Sequence, residues 1–473
     1  MKKKSILMVF ALVMVSLLLC SCGFTPLSAM PALEDKVVGN GGVAVQKGDY
    51  VYFVDTVVDA TALTKDDNTY NKVSEACIYR TKLVNGELDL DEKGILKSKE
   101  LVVPKVVGFA NTGLYIFDNY IYYGTPNMQY NSQGTLTNNL IDFCRARLDG
   151  SDVEQLYTTE QYPDGASHTF CKIGNSVYLL VWDTNKLVKV EVSNHISQPV
   201  VLAEDVDNVM FAQTNDYEYV ASYAATGTEG YVYYTRNLKE SDNFIVTTNK
   251  VNVLGRVNVK TGDKNEVIDG TTTHKLVSVE SHYVYVERSV SGNTSVWATN
   301  FVKDIQVTAT STYSDVTPLN NVDGENRGVI VSYESNTVWI KDATDLSTSE
   351  VLLDKTITIE DVVGNYVYYI DGTKIYRLDL ETKESELVVD DSNMDTVQLD
   401  LTDSKQIYYF ATYTGDSGDS AKYLNRVNLN HKVTCEDAGE EGDEVSEDHE
   451  HGYKVELVGK LKSNHIVVEE DEE

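Results

Sequence analysis

Hydrophobic and β-branched residues recur along this chain in short runs separated by turn signals, most clearly between residues 363 and 391. Residues 366–370, YVYYI, form an aromatic and β-branched run, and residues 374–380 carry apolar side chains on alternate positions. The Asp-Gly-Thr sequence at 371–373 is typical of a tight turn between two strands. A third short run follows at 386–390. The pattern predicts an antiparallel meander.

The same pattern recurs upstream, where residues 330–354 align without a gap to residues 366–390 at an offset of 36. Eight copies of the central run read DYVYFVD (49–55), NYIYYGT (119–125), SVYLLVW (176–182), GYVYYTR (230–236), HYVYVER (282–288), VIVSYES (329–335), NYVYYID (365–371) and QIYYFAT (406–412). Most copies have one strand signal before them and two after them, and the first and sixth units are the weakest. Four strands per repeat form the blade of a β-propeller. The sequence predicts an all-β propeller of eight four-stranded antiparallel blades, with seven blades or a pair of β-sandwiches as alternatives.

The composition supports an all-β fold and narrows the classes of molecule that the chain is expected to bind. The 473 residues include 31 Tyr but only 7 Pro, and Val and Thr are abundant. The formal net charge is −33, and removal of residues 1–21, which contain three Lys and no acid, takes it to −36. So acidic a surface repels nucleic acid and anionic lipid, which excludes both as expected partners of the folded body.

The N-terminus carries an export signal. Residues 2–4 are Lys, residues 6–19 are almost entirely apolar, and Leu-Cys-Ser-Cys follows at 19–22. The apolar stretch is too short to be a comfortable membrane span. The segment resembles the bacterial lipobox, which implies that residues 1–21 are removed and that Cys22 carries the lipid. The alternative is an ordinary secretory signal with incidental cysteines.

The expected organisation follows from these signals. Residues 22–35 comprise the lipidated Cys and a short tether, so the folded body at 36–462 would sit close to the membrane on its extracytoplasmic face. The YVYY…IYRLDL pattern resembles bacterial extracytoplasmic lipoproteins that carry TolB-like propellers, including a family of unknown function common in Gram-positive anaerobes. The resemblance covers residues 36–462 and implies a β-propeller fold and an extracytoplasmic location. It does not identify the ligand.

Insertions on one face of the propeller suggest where it binds. The turn between the second and third strands is long at 56–75, 125–139, 236–249 and 412–421, and this turn shares a face with the blade-to-blade connections. Function concentrates on such loops. The candidate binding residues of this rim are Tyr70, Tyr130, Phe244, Tyr413, Asp416 and Asp419. Aromatic rings among acids suit stacking on a sugar or on a protein partner. The alternative is that the insertions are merely tolerated.

The sequence contains few signals of a catalytic site. The sequence contains no H-E-x-x-H motif, no G-x-S-x-G elbow and no phosphate loop. His168 and His274 are the histidines placed to join a site around the propeller axis. We therefore prefer a membrane-anchored binding or scaffold module that holds an envelope glycan, a substrate or a protein partner. The alternative is a propeller enzyme acting on extracellular polysaccharide or peptide.

Acidic segments and cysteines complete the analysis. Residues 435–452, with nine acids between 436 and 450, predict a disordered insertion in the last blade, and residues 463–473 form a similar acidic tail. Acidic turns are oxygen-rich enough for Ca²⁺, but none follows the EF-hand pattern, and no other cofactor is expected. Besides the lipidated Cys22, four cysteines remain after processing, at positions 77, 144, 171 and 435. Three pairings are open, and buried reduced thiols are the favoured interpretation.

Overall fold

The computed structural model describes residues 30–58, 63, 68, 73–91, 96–109, 113–130, 132, 136–160, 167–192, 195–211, 230–239, 242, 251–279, 284–308, 313–319, 329–333, 337–341, 349–355, 357–403, 406–414, 420–433 and 452–459. Within these residues the regular secondary structure consists of β-strands, with no α-helix. No helix of this described part is long and apolar enough to cross a membrane.

The first four blades follow one another along the chain. Blade 1 contains β1 (Val37–Val38), β2 (Ala44–Lys47), β3 (Tyr50–Val54), β4 (Ile78–Val84), β5 (Glu87–Leu88) and β6 (Glu100–Val103). Blade 2 contains β7 (Tyr115–Phe117), β8 (Tyr120–Tyr130), β9 (Leu136–Arg147) and β10 (Glu154–Thr158). Blade 3 contains β11 (Ser167–Ile173), β12 (Ser176–Asp183), β13 (Lys186–Val192) and β14 (Val200–Glu204). Blade 4 contains β15 (Val206–Met210), β16 (Tyr231–Asn237), β17 (Asn252–Asn258) and β18 (Lys264–Val267).

The second half repeats this order. Blade 5 contains β19 (Thr272–Val279), β20 (Val284–Val290), β21 (Asn293–Thr299) and β22 (Asp304–Thr308). Blade 6 contains β23 (Tyr313–Pro318), β24 (Val329–Tyr333), β25 (Thr337–Lys341) and β26 (Ser349–Leu353). Blade 7 contains β27 (Thr358–Val363), β28 (Tyr366–Asp371), β29 (Lys374–Asp379) and β30 (Ser385–Asp390). Blade 8 contains β31 (Met394–Asp403), β32 (Gln406–Thr414), β33 (Ser420–Lys432) and β34 (Tyr453–Leu457).

The chain is an eight-bladed β-propeller, as its repeats predict. In blades 2 to 8 the four strands pair antiparallel in chain order. Blade 1 has the same four strands, β2, β3, β4 and β6, to which the two-residue strands β1 and β5 are added. The innermost strand of blade 1, β2, contacts both β7 of blade 2 and β31 of blade 8. The ring therefore closes between the first and last blades.

The second strands of the blades are buried on both faces where the neighbouring blades cover them. All five residues of β3 are buried, and so are the four central residues of β28. In blade 1, Tyr52 packs into a cluster with Ile121 of blade 2, whereas the next residue, Phe53, packs into a cluster with Phe410 of blade 8. Because successive side chains are buried, these strands appear in the sequence as continuous aromatic and β-branched runs.

A Tyr, an Arg and an acid lock the outer strands of several blades together. Arg80 of β4 lies over the Tyr50 ring, 4.7 Å from its centroid, and its Nε donates to Glu100 of β6 at 2.8 Å. Arg145 repeats the arrangement 4.4 Å from the Tyr120 ring centroid in blade 2, and Arg377 repeats it 4.6 Å from the Tyr366 ring centroid in blade 7. The repeated Tyr and Arg of the sequence pattern are thus packing positions.

Turn chemistry agrees with the predicted meander. Asp371 pairs with Lys374, which leaves Gly372 and Thr373 as a two-residue loop between β28 and β29. Gly372 has a φ of +67°, a conformation that residues with a Cβ rarely adopt. The Asp-Gly-Thr signal therefore fixes the register of this hairpin.

The predicted long loop of blade 2 is largely strand, which corrects the sequence-based interpretation of residues 125–139. The strands β8 and β9 stay paired from Tyr120 and Arg147 out to Tyr130 and Leu136. Thr and Asn side chains obscured this extension, because they lack the apolar alternation that marks a half-buried strand. The described residues of this insertion therefore lengthen the hairpin of β8 and β9.

The described cysteines are buried and form no disulfide with one another. They are Cys77, Cys144 and Cys171, and Cys435 lies outside the described residues. Burial raises the pKa of the Cys144 thiol to about 12. The expectation of reduced thiols agrees with these three residues.

Candidate functional site at the ring closure

The first and last blades meet at a seam that hydrogen bonds and packing hold together. Thr56 of blade 1 donates through its Oγ1 to the carbonyl oxygen of Lys422 in blade 8, at 2.5 Å. The Nζ of Lys99 in blade 1 donates to the carbonyl oxygen of Gly459 at 3.0 Å. Because each blade is built from consecutive strands, these contacts take the place of a shared strand.

Gly459 lets the end of blade 8 approach blade 1 closely. A Cβ at this position would lie 2.3 Å from the carbonyl oxygen of Asp55 and 2.6 Å from the amide nitrogen of Leu424. Both are backbone atoms that cannot move away independently, and the Leu424 amide donates to that same Asp55 carbonyl at 3.3 Å. The seam therefore requires glycine here.

A cleft of about 320 Å³ opens at this seam. Its lining comprises Asp55, Thr56, Ser74, Glu75, Tyr79 and Lys99 from blade 1 and Ala421, Lys422, Tyr423 and Gly459 from blade 8. Residues 56 and 74–75 flank the blade 1 insertion, and residue 421 ends the blade 8 insertion. The cleft thus lies on the loop-bearing face, where ring closure brings the described ends of the first and last insertions together.

A buried ion pair forms the inner wall of the cleft. The Nζ of Lys99 lies 3.2 Å from the Oδ2 of Asp55, and each side chain is only 8% exposed. The Lys99 ammonium also lies 4.1 Å from the centroid of the Tyr79 ring. The second carboxylate oxygen, Oδ1 of Asp55, is buried near the Cys77 amide and makes no well-formed hydrogen bond with the described residues.

Burial raises the pKa of Asp55 to about 6, because the loss of hydration outweighs the attraction of the Lys99 charge. A carboxyl group with this pKa changes charge close to neutral pH. Perturbed carboxyl groups in clefts are typical of functional sites, although structural ion pairs share the property.

Two tyrosines, Tyr79 and Tyr423, line the cleft from opposite blades. The Tyr79 hydroxyl donates to the carbonyl oxygen of Ser74 at 2.8 Å, which fixes the ring beside Lys99. Tyr423 is partly exposed, and its ring packs on that of Tyr413, with the centroids 6.0 Å apart. Burial raises the pKa of Tyr423, and the charges of Glu75 and Asp55 raise it further. Both carboxylates therefore act on this ring across the cleft.

One of the predicted rim residues, Tyr413, has a described side chain. It supports Tyr423, and its hydroxyl donates to the Oδ1 of Asn425 at 3.0 Å. Tyr130 ends β8, but its side chain is outside the described part. The other predicted binding positions lie outside the described residues, namely Tyr70, Phe244, Asp416 and Asp419, as does the predicted lipid site Cys22.

Asn68 attaches the blade 1 insertion to the neighbouring blade by hydrogen bonds. Asn68 is buried, and its Nδ2 donates to the carbonyl oxygen of Pro126 in β8 at 2.8 Å. Its Oδ1 accepts from the Val106 amide at 3.0 Å, and the Nζ of Lys105 donates to its carbonyl oxygen at 2.7 Å. The insertion thus joins blades 1 and 2 on the face that carries the cleft.

The two histidines singled out from the sequence lie in packed surroundings. The His168 ring packs on Phe143 with the centroids 4.6 Å apart. His274 is buried, and burial, together with the Arg288 charge, lowers its pKa. In the described part of the chain no cluster of three or more His, Cys, Asp or Glu side chains could hold a metal ion. Most of the acidic turns that could bind Ca²⁺ lie outside the described residues, so that expectation remains untested.

The sequence pointed to this face but not to the cleft. Asp55 ends the DYVYFVD run just before an insertion, which was a usable signal. Lys99 and Gly459 carry no local signal, since they become neighbours across 360 residues of sequence only when the ring closes.

Comparisons with known proteins return distant structural neighbours. No family model and no curated protein matches the chain. Similar solved structures include a prolyl endopeptidase (TM-score 0.42, 10% identity, covering 85% of this chain and 56% of that one). A dipeptidyl peptidase 4 from Porphyromonas gingivalis has TM-score 0.44, 10% identity and coverage of 86% and 61%. The Dos1 propeller has TM-score 0.42, 10% identity and coverage of 79% and 88%. At TM-scores below 0.5 these similarities establish nothing about function.

Proposed function

We propose that this chain is a binding or scaffold module, anchored through Cys22 to the extracytoplasmic face of a bacterial membrane, which uses the loop-bearing face of its propeller to hold an envelope glycan, a substrate or a protein partner. The observation that carries the proposal is the seam cleft, a concave site with a few convergent polar groups on the face with the longest insertions. The N-terminal segment that resembles a lipobox supports the proposed location.

The cleft has the composition of a recognition site. Two partly exposed tyrosines, Tyr79 and Tyr423, offer aromatic surface, while Asp55, Glu75 and Lys422 offer polar groups. Aromatic side chains provide contact area at a low cost in conformational entropy, and polar groups orient what is bound.

Site-specific photocrosslinking on intact cells tests the proposal. A photoreactive phenylalanine analogue would replace Glu75, which is exposed and lines the cleft. The matched control places the analogue at Glu350, an exposed acid on the outer strand of blade 6. We expect a discrete adduct from position 75 and none from position 350. The same adducts from both positions, or adducts from position 350 alone, would refute a binding role for this face.

Catalysis is the second candidate function, and the raised pKa of Asp55 favours it. A carboxyl group with a pKa of about 6 in a cleft can accept or donate a proton near neutral pH. The substrate would be an extracellular polysaccharide or peptide. Purified protein that cleaves such polymers with a pH dependence centred near 6, together with an Asp55→Asn variant that retains binding but not turnover, would establish this function. The absence of turnover on both polymer classes would leave the binding role alone.

A further inference from the structure

The chemistry of the seam cleft selects among the ligands that the proposed function leaves open. Charges in its lining balance, since Asp55 and Glu75 oppose Lys99 and Lys422. The whole chain carries a net charge of −33, which disfavours anionic polymers. A cationic ligand would meet the Lys99 and Lys422 ammonium groups, which offset the two carboxylates of the lining. The balance favours an uncharged ligand.

Asp55 offers a bound molecule one of its two carboxylate oxygens. The residue is only 6% exposed and lines the cleft, and its Oδ1 is closed to solvent. A bound hydroxyl group would therefore donate to Oδ2, beside the Lys99 ammonium. Hydroxyl groups both donate and accept hydrogen bonds, which suits a lining that contains both carboxylate and ammonium groups.

Backbone recognition of a peptide is disfavoured here. An extended peptide gains affinity from main-chain hydrogen bonds at an open strand edge. At the seam these groups are already engaged, since the carbonyl oxygens of Gly459, Lys422 and Asp55 accept from Lys99, Thr56 and Leu424 respectively. A ligand in this cleft must therefore be recognised through its side groups.

Tyr423 supplies a platform for a ring. It is partly exposed in the cleft, and Tyr413 supports it from one side. The Tyr79 ring is less suited, because Lys99 covers it at 4.1 Å. An amphipathic ring with apolar faces and polar edges would stack on Tyr423 while its edge groups reach Asp55 and Glu75.

We propose that the seam cleft binds an uncharged saccharide, with a sugar ring stacked on Tyr423, hydroxyl groups donating to Asp55 and Glu75, and Lys422 donating to a sugar oxygen. The inference rests on the proposed binding function and names its ligand class. The cleft volume of about 320 Å³ lies near the lower end of the range for small-molecule sites, about 300–1,000 Å³, so the bound unit is a short portion of a glycan.

Calorimetric titration of the purified propeller with defined oligosaccharides tests the inference. The probes are neutral oligomers of glucose, mannose and N-acetylglucosamine, with oligogalacturonate and chitosan oligomers as anionic and cationic counterparts. We expect at least one neutral oligomer to bind more tightly than both charged ones. Tyr423→Ala should weaken that binding by about tenfold or more, whereas Tyr423→Phe should retain it. Tyr376→Ala, at a partly exposed Tyr of blade 7, should leave it unchanged.

Each other result overturns a defined part of the inference. Tyr423-dependent binding of a charged oligomer in preference to all neutral ones would refute the ligand class while leaving the cleft as the binding site. Neutral binding that survives Tyr423→Ala would refute the location. The absence of saccharide binding by the wild-type protein would refute the inference, and a peptide or protein adduct at position 75 would then preserve the proposed function with another partner. Circular dichroism of every variant confirms that it is folded.

Discussion

Replacing Lys99 by Met should destabilise the propeller by an amount that grows with pH. The substitution keeps an unbranched side chain but removes the ammonium that lies 3.2 Å from Asp55 and 3.0 Å from the Gly459 carbonyl oxygen. At pH 5 the Asp55 carboxyl is mostly protonated, because its pKa is about 6. The loss then consists of one hydrogen bond and one cation–π contact with Tyr79, together about 2 kcal/mol.

Above pH 6 the uncompensated carboxylate adds to this loss. Folding raises the Asp55 pKa from 3.8 to about 6, so this group favours the folded state most below pH 3.8, and about 3 kcal/mol of that stability is lost as the pH rises through 6. Without Lys99 the pKa rises further and the loss continues. The variant can always avoid the unpaired carboxylate by protonating Asp55. The extra destabilisation therefore cannot exceed the cost of that protonation, about 1.4 kcal/mol per pH unit above 6. At pH 8 the total is therefore at most about 5 kcal/mol.

Urea denaturation followed by circular dichroism between pH 5 and pH 8 measures this dependence. Lys97→Met is the matched control, because Lys97 pairs with Asp89 at 2.7 Å in a surface ion pair whose side chains are 54% and 39% exposed. It should cost less than about 1 kcal/mol at every pH. In the background of Asp55→Asn the pH dependence of Lys99→Met should vanish. A pH-independent loss, or a loss equal to that of the control, would refute the role assigned to the buried pair.

Three further predictions concern the seam, a thiol and the membrane anchor. Gly459→Ala should destabilise the fold by about 1–3 kcal/mol, seen as a lower urea midpoint, because its Cβ would meet the Asp55 carbonyl oxygen at 2.3 Å, and an unchanged midpoint would contradict the close approach. The Cys144 thiol should resist iodoacetamide at pH 8 until the protein unfolds, since burial raises its pKa to about 12, and rapid labelling of the folded protein would show otherwise. Cys22→Ser should release the protein into the medium and abolish incorporation of radioactive palmitate, and continued labelling would place the lipid elsewhere.

The blades could be predicted from the sequence because each is specified locally. Turn residues such as Gly372 and the apolar runs of β28 and β29 lie within one short segment and define one hairpin. The count of eight followed from repeating that segment, and it required no knowledge of how the blades meet. The blade 2 hairpin was missed because its extension beyond residue 125 is rich in Thr and Asn and lacks the apolar alternation that marks a half-buried strand.

The candidate site could be predicted only in part, because it depends on ring closure. The face was predictable, since loop lengths reveal it, and Tyr413 lies beside the cleft as one of the predicted residues. The pairing of Lys99 with Gly459 was not predictable, because the two residues are 360 positions apart and carry no common motif. Their proximity is a property of the number and width of the blades.

Binding at the seam would couple occupancy to the integrity of the ring. Consecutive blades are joined by the chain itself, whereas blades 1 and 8 are held by contacts such as those of Lys99 and Thr56 and by the shared cluster around Phe53 and Phe410. A molecule that touches both blades binds only while this junction is closed. At a concentration one hundred times its Kd it would stabilise the folded ring by about 2.7 kcal/mol. A seam ligand should therefore raise the melting temperature of the wild-type protein more than that of a variant whose seam has been opened at Gly459.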